Sequence, residues 1–183
     1  KPLINAEVIA PWHANFVEFQ GNEMIETRQW DSDYPHYVGV PAMNAVGKYL
    51  ARNLHVKTQT LITAMDYDPA SKTWQLIDDA KQDQGVFDWV ILTAPVAQSQ
   101  ALLPSFISFY DDLSDIQMQA CFSMMLGFEK SLSLPFDAAL VRDADISWVA
   151  VNSTKPNRSN AFSLLVNSTN HWADKNIDSP KEA

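Results

Sequence analysis

The stretch NFVEFQGNEMIETR, residues 15–28, alternates apolar with polar side chains on both sides of Gly21-Asn22. A period of two places alternate residues on opposite faces of a strand, and Gly-Asn supplies a tight turn. The segment therefore predicts a β-hairpin lying on one face of a sheet. Further along, the period changes. Met43, Val46, Leu50 and Leu54 recur at helical spacing, with Gly47 beside Val46 permitting close approach to a neighbour, so an amphipathic helix is expected over residues 43–54.

Short β-branched or aromatic runs follow at residues 56–60, 61–68, 73–78 and 87–93, separated by turn material such as Asp68-Pro69-Ala70-Ser71. These predict a run of strands forming a meander. Pro95 stops the last of them, and residues 96–103 read as a short helix ahead of Pro104. Strands are expected again at residues 120–128, 138–142, 147–152 and 161–167, with helical segments at residues 169–175 and from Ser179 onward. Strands and helices mixed with few βαβ units argue for an α+β fold, a mixed or antiparallel sheet with flanking helices.

Composition narrows the partners. With 46% hydrophobic and 19% charged residues, the 183-residue chain has the apolar material for a globular core. Its 13 basic and 22 acidic residues leave a formal charge of −9, which repels phosphate backbones and anionic membrane surfaces, so a nucleic-acid partner is not expected. No run approaches the roughly 20 apolar residues that span a bilayer, and the longest candidate, residues 89–97, contains Pro95. Cys121 is the single cysteine, which rules out an intrachain disulfide. Its setting between Ala120 and Phe122 predicts a buried structural thiol, and a cytoplasmic location fits. The chain starts at Lys1 with no charged-then-apolar leader, and both ends read as cut from a longer protein.

Several chemistries lack their residues. No serine sits in a G-x-S-x-G elbow, and His13, His36, His55 and His171 are scattered, so a nucleophile–base pair is not supported. One cysteine and isolated histidines give no metal-ligand spacing, and no metal is expected. Neither a phosphate-cradling P-loop nor a G-x-G-x-x-G fingerprint is present. Motifs alone leave the function open.

The segment His36-Tyr37-Val38-Gly39-Val40-Pro41-Ala42-Met43, followed by the helix to Leu54, resembles the Y-V-G-x-P-G-M segment of bacterial renalase-like NAD/FAD-dependent oxidoreductases in the flavin-containing amine oxidase superfamily. Further likenesses occur in the family's order: Ile62 to Met65, Trp74, then Phe87-Asp88-Trp89-Val90-Ile91-Leu92-Thr93-Ala94-Pro95. Cys121 to Phe128, Pro135 to Ala139, and Ile146-Ser147-Trp148-Val149-Ala150 with Asn152, Ser153, Lys155, Pro156 and Arg158 resemble the family's substrate-domain signature. Two departures stand out. Ala42 occupies a usual glycine position, and neither the family's N-terminal G-x-G-x-x-G strand nor its C-terminal flavin-contacting segment occurs in this sequence.

The resemblance implies FAD as cofactor and hydride transfer to it from a small substrate, a dihydronicotinamide of the NAD(P) type or an amine, with oxygen as final acceptor. It implies residues 1–42 and 98–183 as two parts of a substrate domain and residues 43–97, the helix and meander, as part of an FAD-binding domain. The piece alone is expected to be inactive, because the pyrophosphate depends on the missing glycine turn. Pro41, Ala42 and Met43 resemble the loop entering the flavin region, or are simply a helix start. Ile62 resembles the residue whose backbone meets the adenine, and Thr93, Ala94 and Pro95 a strand end approaching the dinucleotide; ordinary strand packing is the alternative. Trp148 and Asn152, four apart on one expected strand, would share a face and hold a planar substrate, although Trp148 also reads as core. Arg142, Lys155 and Arg158 form a candidate cationic rim for a phosphate or carboxylate, and each alone also reads as solvated surface. Trp12 and Trp172 read as core, and no catalytic residue is assigned. A non-enzymatic α+β module binding a small ligand or peptide is the alternative function.

Overall fold

The computed structural model describes residues 1–179, and its helices and strands are short. In chain order they are α1 (Pro2–Asn5), β1 (Ile9–Pro11), β2 (Asn15–Gln20), β3 (Glu23–Gln29), β4 (Tyr37–Gly39), α2 (Asn44–Ala51), β5 (Ile62–Asp68) and β6 (Thr73–Asp78). Then come β7 (Asp83–Phe87), α3 (Val96–Leu102), β8 (Ser123–Gly127), β9 (Ala138–Arg142), β10 (Ile146–Val151), β11 (Ser163–Ser168) and α4 (Asn170–Asn176). The fold is α+β, as expected. Two compact units divide the chain: Lys1–His55 together with the chain from Gln119 onward, and Val56–Met118.

The first unit is built on a six-stranded sheet in the order β3-β2-β9-β10-β11-β8. All neighbours are antiparallel except β2 and β9, which run parallel. The expected hairpin is β2–β3, turning at Gly21 with φ +57°, a left-handed conformation that glycine adopts without a Cβ penalty. Register puts Phe16 beside Ala138, Ala138 beside Ala150 and Ala150 beside Leu165, so these side chains share one face. There Trp12, Ala14, Phe16, Trp30, Ala138 and Ala150 form a buried cluster. The two central alanines leave room for the flanking rings, the large-with-small fit that dense packing requires. Val17 and Ala139, in register on the opposite face, are fully buried too. α4 starts where the Thr169 side chain accepts a hydrogen bond from the Trp172 backbone N–H at 3.2 Å, an N-cap.

The second unit holds the antiparallel meander β5-β6-β7. Tyr67 and Trp74 face each other across β5 and β6 with centroids 4.8 Å apart. The turn after β6 is fixed by buried Asp78, whose carboxylate accepts from the Gln82 backbone N–H at 2.8 Å and from Gln84 Nε2 at 2.7 Å.

Several expectations are corrected. Residues 56–60 are irregular, and the last meander strand is Asp83–Phe87 rather than residues 87–93. A run apolar on both faces becomes a strand when neighbours cover it, and no strand among the described residues pairs with residues 88–93, so Trp89 and Ile91 stand 87% and 85% exposed. α2 ends at Ala51, and its apolar residues Met43, Leu50 and Leu54 are exposed. Gly47 has no atom within 4 Å of where a Cβ would lie, so no close approach uses it. Cys121 is exposed, because the strand it precedes is a sheet edge. The expected helix from Ser179 onward falls at residues 180–183, outside the described residues. No helix among the described residues is long and apolar enough to cross a membrane.

Candidate functional site

The aromatic face of the first unit is organised by Trp30, which follows β3 and is buried. Its ring lies 3.7 Å from that of His36 at 12°, 5.1 Å from Phe16 at 14° and 6.3 Å from Trp148 at 16°, centroid to centroid. Trp12 meets it edge-on at 5.6 Å and 78°. Offset stacking and edge contact are the arrangements that ring quadrupoles favour. Backbone bonds hold the assembly: Trp30 N–H donates to Ala14 C=O at 2.8 Å and Trp12 N–H to His36 C=O at 2.7 Å. Trp148 is half-buried at one side of the plates, packed on the core and still presenting surface.

Charge sits at two separate ends of this face. Strands β9 and β10 are antiparallel, so Arg142, at the end of β9, and Lys155, beyond the end of β10, lie at opposite ends of the pair. The three-membered cationic rim is therefore not formed. Arg142 instead pairs with Glu18 on the neighbouring strand. The Arg142 hydrogen bond, helped by its charge, holds the Glu18 carboxyl below its ordinary 4.5 against the opposing effect of burial. A lowered folded-state pKa makes the contribution fully present above the ordinary value, and lost as pH falls through the folded one. Denaturant midpoints are expected to decline from about pH 5 downward, with Glu18→Gln less stable at neutral pH and flatter on the acid side. Parallel acid limbs in the two proteins would refute this role.

The other end holds Lys155 and Arg158. A 3₁₀ turn, Asn152–Thr154, follows β10. Trp12 Nε1 donates to Thr154 Oγ1 at 3.2 Å, and Lys155 Nζ donates to Asn152 Oδ1 at 3.3 Å while lying 5.2 Å from the Trp12 ring centroid. Arg158 Nη1 donates to the Pro41 carbonyl. Asn152 thus belongs to this turn and not to the strand of Trp148, because β10 stops at Val151; the shared strand face expected for the two residues does not exist.

The residues matched to flavin contacts fall in different units. Pro41, Ala42 and Met43 are exposed in the first unit, in a loop where Met43 Sδ accepts from Gly39 N–H at 3.2 Å. Ile62, half-buried, opens β5 in the second unit, and Thr93, Ala94 and Pro95 form an exposed stretch there, with Ala94 C=O accepting from Ser99 Oγ at 2.9 Å. The pyrophosphate of FAD needs glycine backbone open to it at a helix start. The one glycine preceding α2 in its loop, Gly39, is closed by that loop's own backbone, with Ala42 O 2.8 Å from a Cβ position. The described residues do not fit that part of FAD.

Phe16, Trp30 and His36 were not assigned to a site from the sequence, although for Phe16 a signal existed. Trp12, Ala14 and Phe16 are buried while His13 and Asn15 are exposed, the period-two pattern read for the hairpin continued backwards. Elsewhere in this unit, an apolar cleft of about 560 Å³ is lined by Met124, Leu126, Val166 and Trp172, with Asp145 among its polar residues. Trp172 is half-buried there, whereas Trp12 is core.

The fold has solved counterparts. One is the crystal structure named "Putative protoporphyrinogen oxidase" from Exiguobacterium sp. 255-15, similar with a TM-score of 0.57 at 15% identity over 72% of this chain. The chain spans 30% of the length of that structure, and the likeness is one of fold. No protein-family model matches the chain.

Proposed function

We propose that this chain is part of a longer FAD-dependent oxidoreductase of the amine-oxidase, renalase-like kind, acting in the cytoplasm on a small molecule, a dihydronicotinamide or an amine. The observation that carries the reading is the set of near-parallel rings Trp30, Phe16, Trp148 and His36 on one sheet face, together with the likeness in fold to a structure named as an oxidase. In this reading residues 1–42 and 98–183 serve the substrate and residues 43–97 the flavin.

The chain's own task is positioning. Trp148 offers a half-buried ring face on which a planar group can lie, and its packing against Phe16 and Trp30 keeps that face from turning away. A bound flavin would supply the hydride acceptor; no acid or base of this chain is assigned to the reaction. With ring stacking worth about 0.5–1.5 kcal/mol, Trp148→Ala is expected to slow anaerobic bleaching of the flavin by a dihydronicotinamide about two- to tenfold in the full-length protein. Bleaching at equal rates in wild type and variant would sink the role given to Trp148. Absence of bleaching with both dihydronicotinamide and benzylamine would sink the redox reading.

A second reading, a non-enzymatic small-ligand or peptide-binding module, rests on the same half-buried Trp148 ring, which offers a stacking surface with or without a flavin. It predicts a full-length protein that binds ligands on the same aromatic face and carries no flavin.

A further inference from the structure

Lys155 and Arg158 are placed differently from other cations of the chain. They stand three residues apart in a turn closed by Lys155 N–H to Asn152 C=O at 3.2 Å and Arg158 N–H to Lys155 C=O at 3.3 Å. Lys155 is half-buried, with its ammonium over the ring of a tryptophan that is itself 5% exposed. An ammonium has three N–H donors, and among the described residues this one uses a single, neutral acceptor, Asn152 Oδ1. Arg158 likewise bonds to a neutral group, the Pro41 carbonyl. Neither forms an ion pair among the described residues; the same holds of the other described lysines, but those are exposed, whereas Lys155 is half-buried.

Withdrawing an ammonium from water beside a second cation is unfavourable unless a negative charge offsets it. The protein holds the pair in that state through a turn anchored to its core, since Trp12 Nε1 bonds Thr154, the residue before Lys155. Burial first, and then Arg158, push the Lys155 ammonium below its ordinary value. An oxyanion would supply the missing counter-charge, fill the unused Lys155 donors and take a charge-assisted bond from the guanidinium.

We propose that Lys155 and Arg158 form an oxyanion-binding site that takes the carboxylate or phosphate group of a small molecule. Asn152 orients the ammonium by holding one of its donors, Trp12 provides the wall beneath it, and Pro41 fixes the guanidinium. The site lies within the first unit, and binding of an oxyanion there is read without flavin and without hydride transfer.

The test is a nuclear magnetic resonance titration of the 183-residue chain at constant ionic strength, following the Trp12 indole N–H and the Lys155 side-chain nitrogen. The probes are inorganic phosphate, benzoate and neutral benzamide. Phosphate or benzoate should shift both signals saturably, the tighter of the two naming the preferred oxyanion, and benzamide should not. Charge-assisted bonds of about 1.5–3 kcal/mol predict that Lys155→Gln and Arg158→Gln each weaken binding tenfold or more. Lys155→Arg should retain binding, and Arg52→Gln, an equal change of net charge in the exposed turn after α2, should leave it unchanged. If Lys155→Gln does not fold, Arg158→Gln carries the comparison. The proposal is overturned by no saturable shift with either anion, by an equal response to benzamide, or by undiminished binding in a folded Gln variant. Because the readout contains no flavin, a failed flavin reduction and a failed anion site are told apart.

Discussion

Trp30→Ala is expected to destabilise the first unit by about 3–5 kcal/mol, the range for removing a large buried aromatic side chain. The expectation lies at the upper end because Trp30 does more than fill volume. Its ring is the common neighbour of Trp12, Phe16, His36 and Trp148, so its removal ends four ring contacts at once and leaves Trp12 and Phe16 facing a void. A loss of that size is comparable to much of the total stability of an ordinary domain. Denaturant unfolding followed by near-ultraviolet circular dichroism, which reads the packed rings, measures it. A loss below about 1 kcal/mol would mean that the rings are loosely packed and that the aromatic face is not preorganised.

The second large effect is at Gly39. A Cβ there would lie 2.8 Å from Ala42 O and 2.9 Å from Met43 Cα, both backbone atoms that cannot swing aside. Gly39→Ala must therefore push the loop to Met43 outward, at about 1–3 kcal/mol by the usual scale of overpacking. The displaced loop includes the Pro41 carbonyl that receives Arg158, so the same substitution should also loosen the cation pair. Gly47→Ala is the counterpart with the opposite sign. It sits inside α2 in open space, where alanine should stabilise by about 0.5–1 kcal/mol. Thermal midpoints of the two variants moving in the same direction would contradict the packing described around the loop.

Local patterns were legible in the sequence where neighbours in the chain are neighbours in the fold. The hairpin around Gly21-Asn22, strands β5, β6, β9 and β11, and helices α3 and α4 each carry their own period and stop signals. What could not be read depends on distant partners. The parallel pairing of β2 with β9 joins strands far apart in sequence, and with it comes the Arg142–Glu18 bond across 124 positions, which removes Arg142 from the rim the sequence suggested. Asn152 was misplaced for a local reason: a polar Asn-Ser-Thr run competes with strand hydrogen bonding and closed a turn one residue earlier than the apolar pattern implied.

Residues 88–93 show the limit from the other side. Their apolar, β-branched composition is that of a strand buried on both faces, yet burial is a property of neighbours and not of composition. The same holds for the apolar stripe expected around α2, where Met43, Leu50 and Leu54 are exposed and Val46 is half-buried. The candidate site was legible to the same degree: Trp148 and Lys155 were candidates by residue type and resemblance, whereas the stacking of Trp30 and His36, which defines the face geometrically, emerges only when β3 and β4 are folded.

The proposed function makes one demand that a single measurement meets directly, namely the visible absorption spectrum of the purified full-length protein, recorded beside that of the 183-residue chain after addition of FAD. The account predicts flavin bands in the full-length protein and none retained by the chain alone after gel filtration, since none of its glycines in open space opens a helix where the pyrophosphate could sit. A full-length protein that is colourless and takes up no FAD would contradict the oxidoreductase reading and leave the aromatic face as the surface of a binding module.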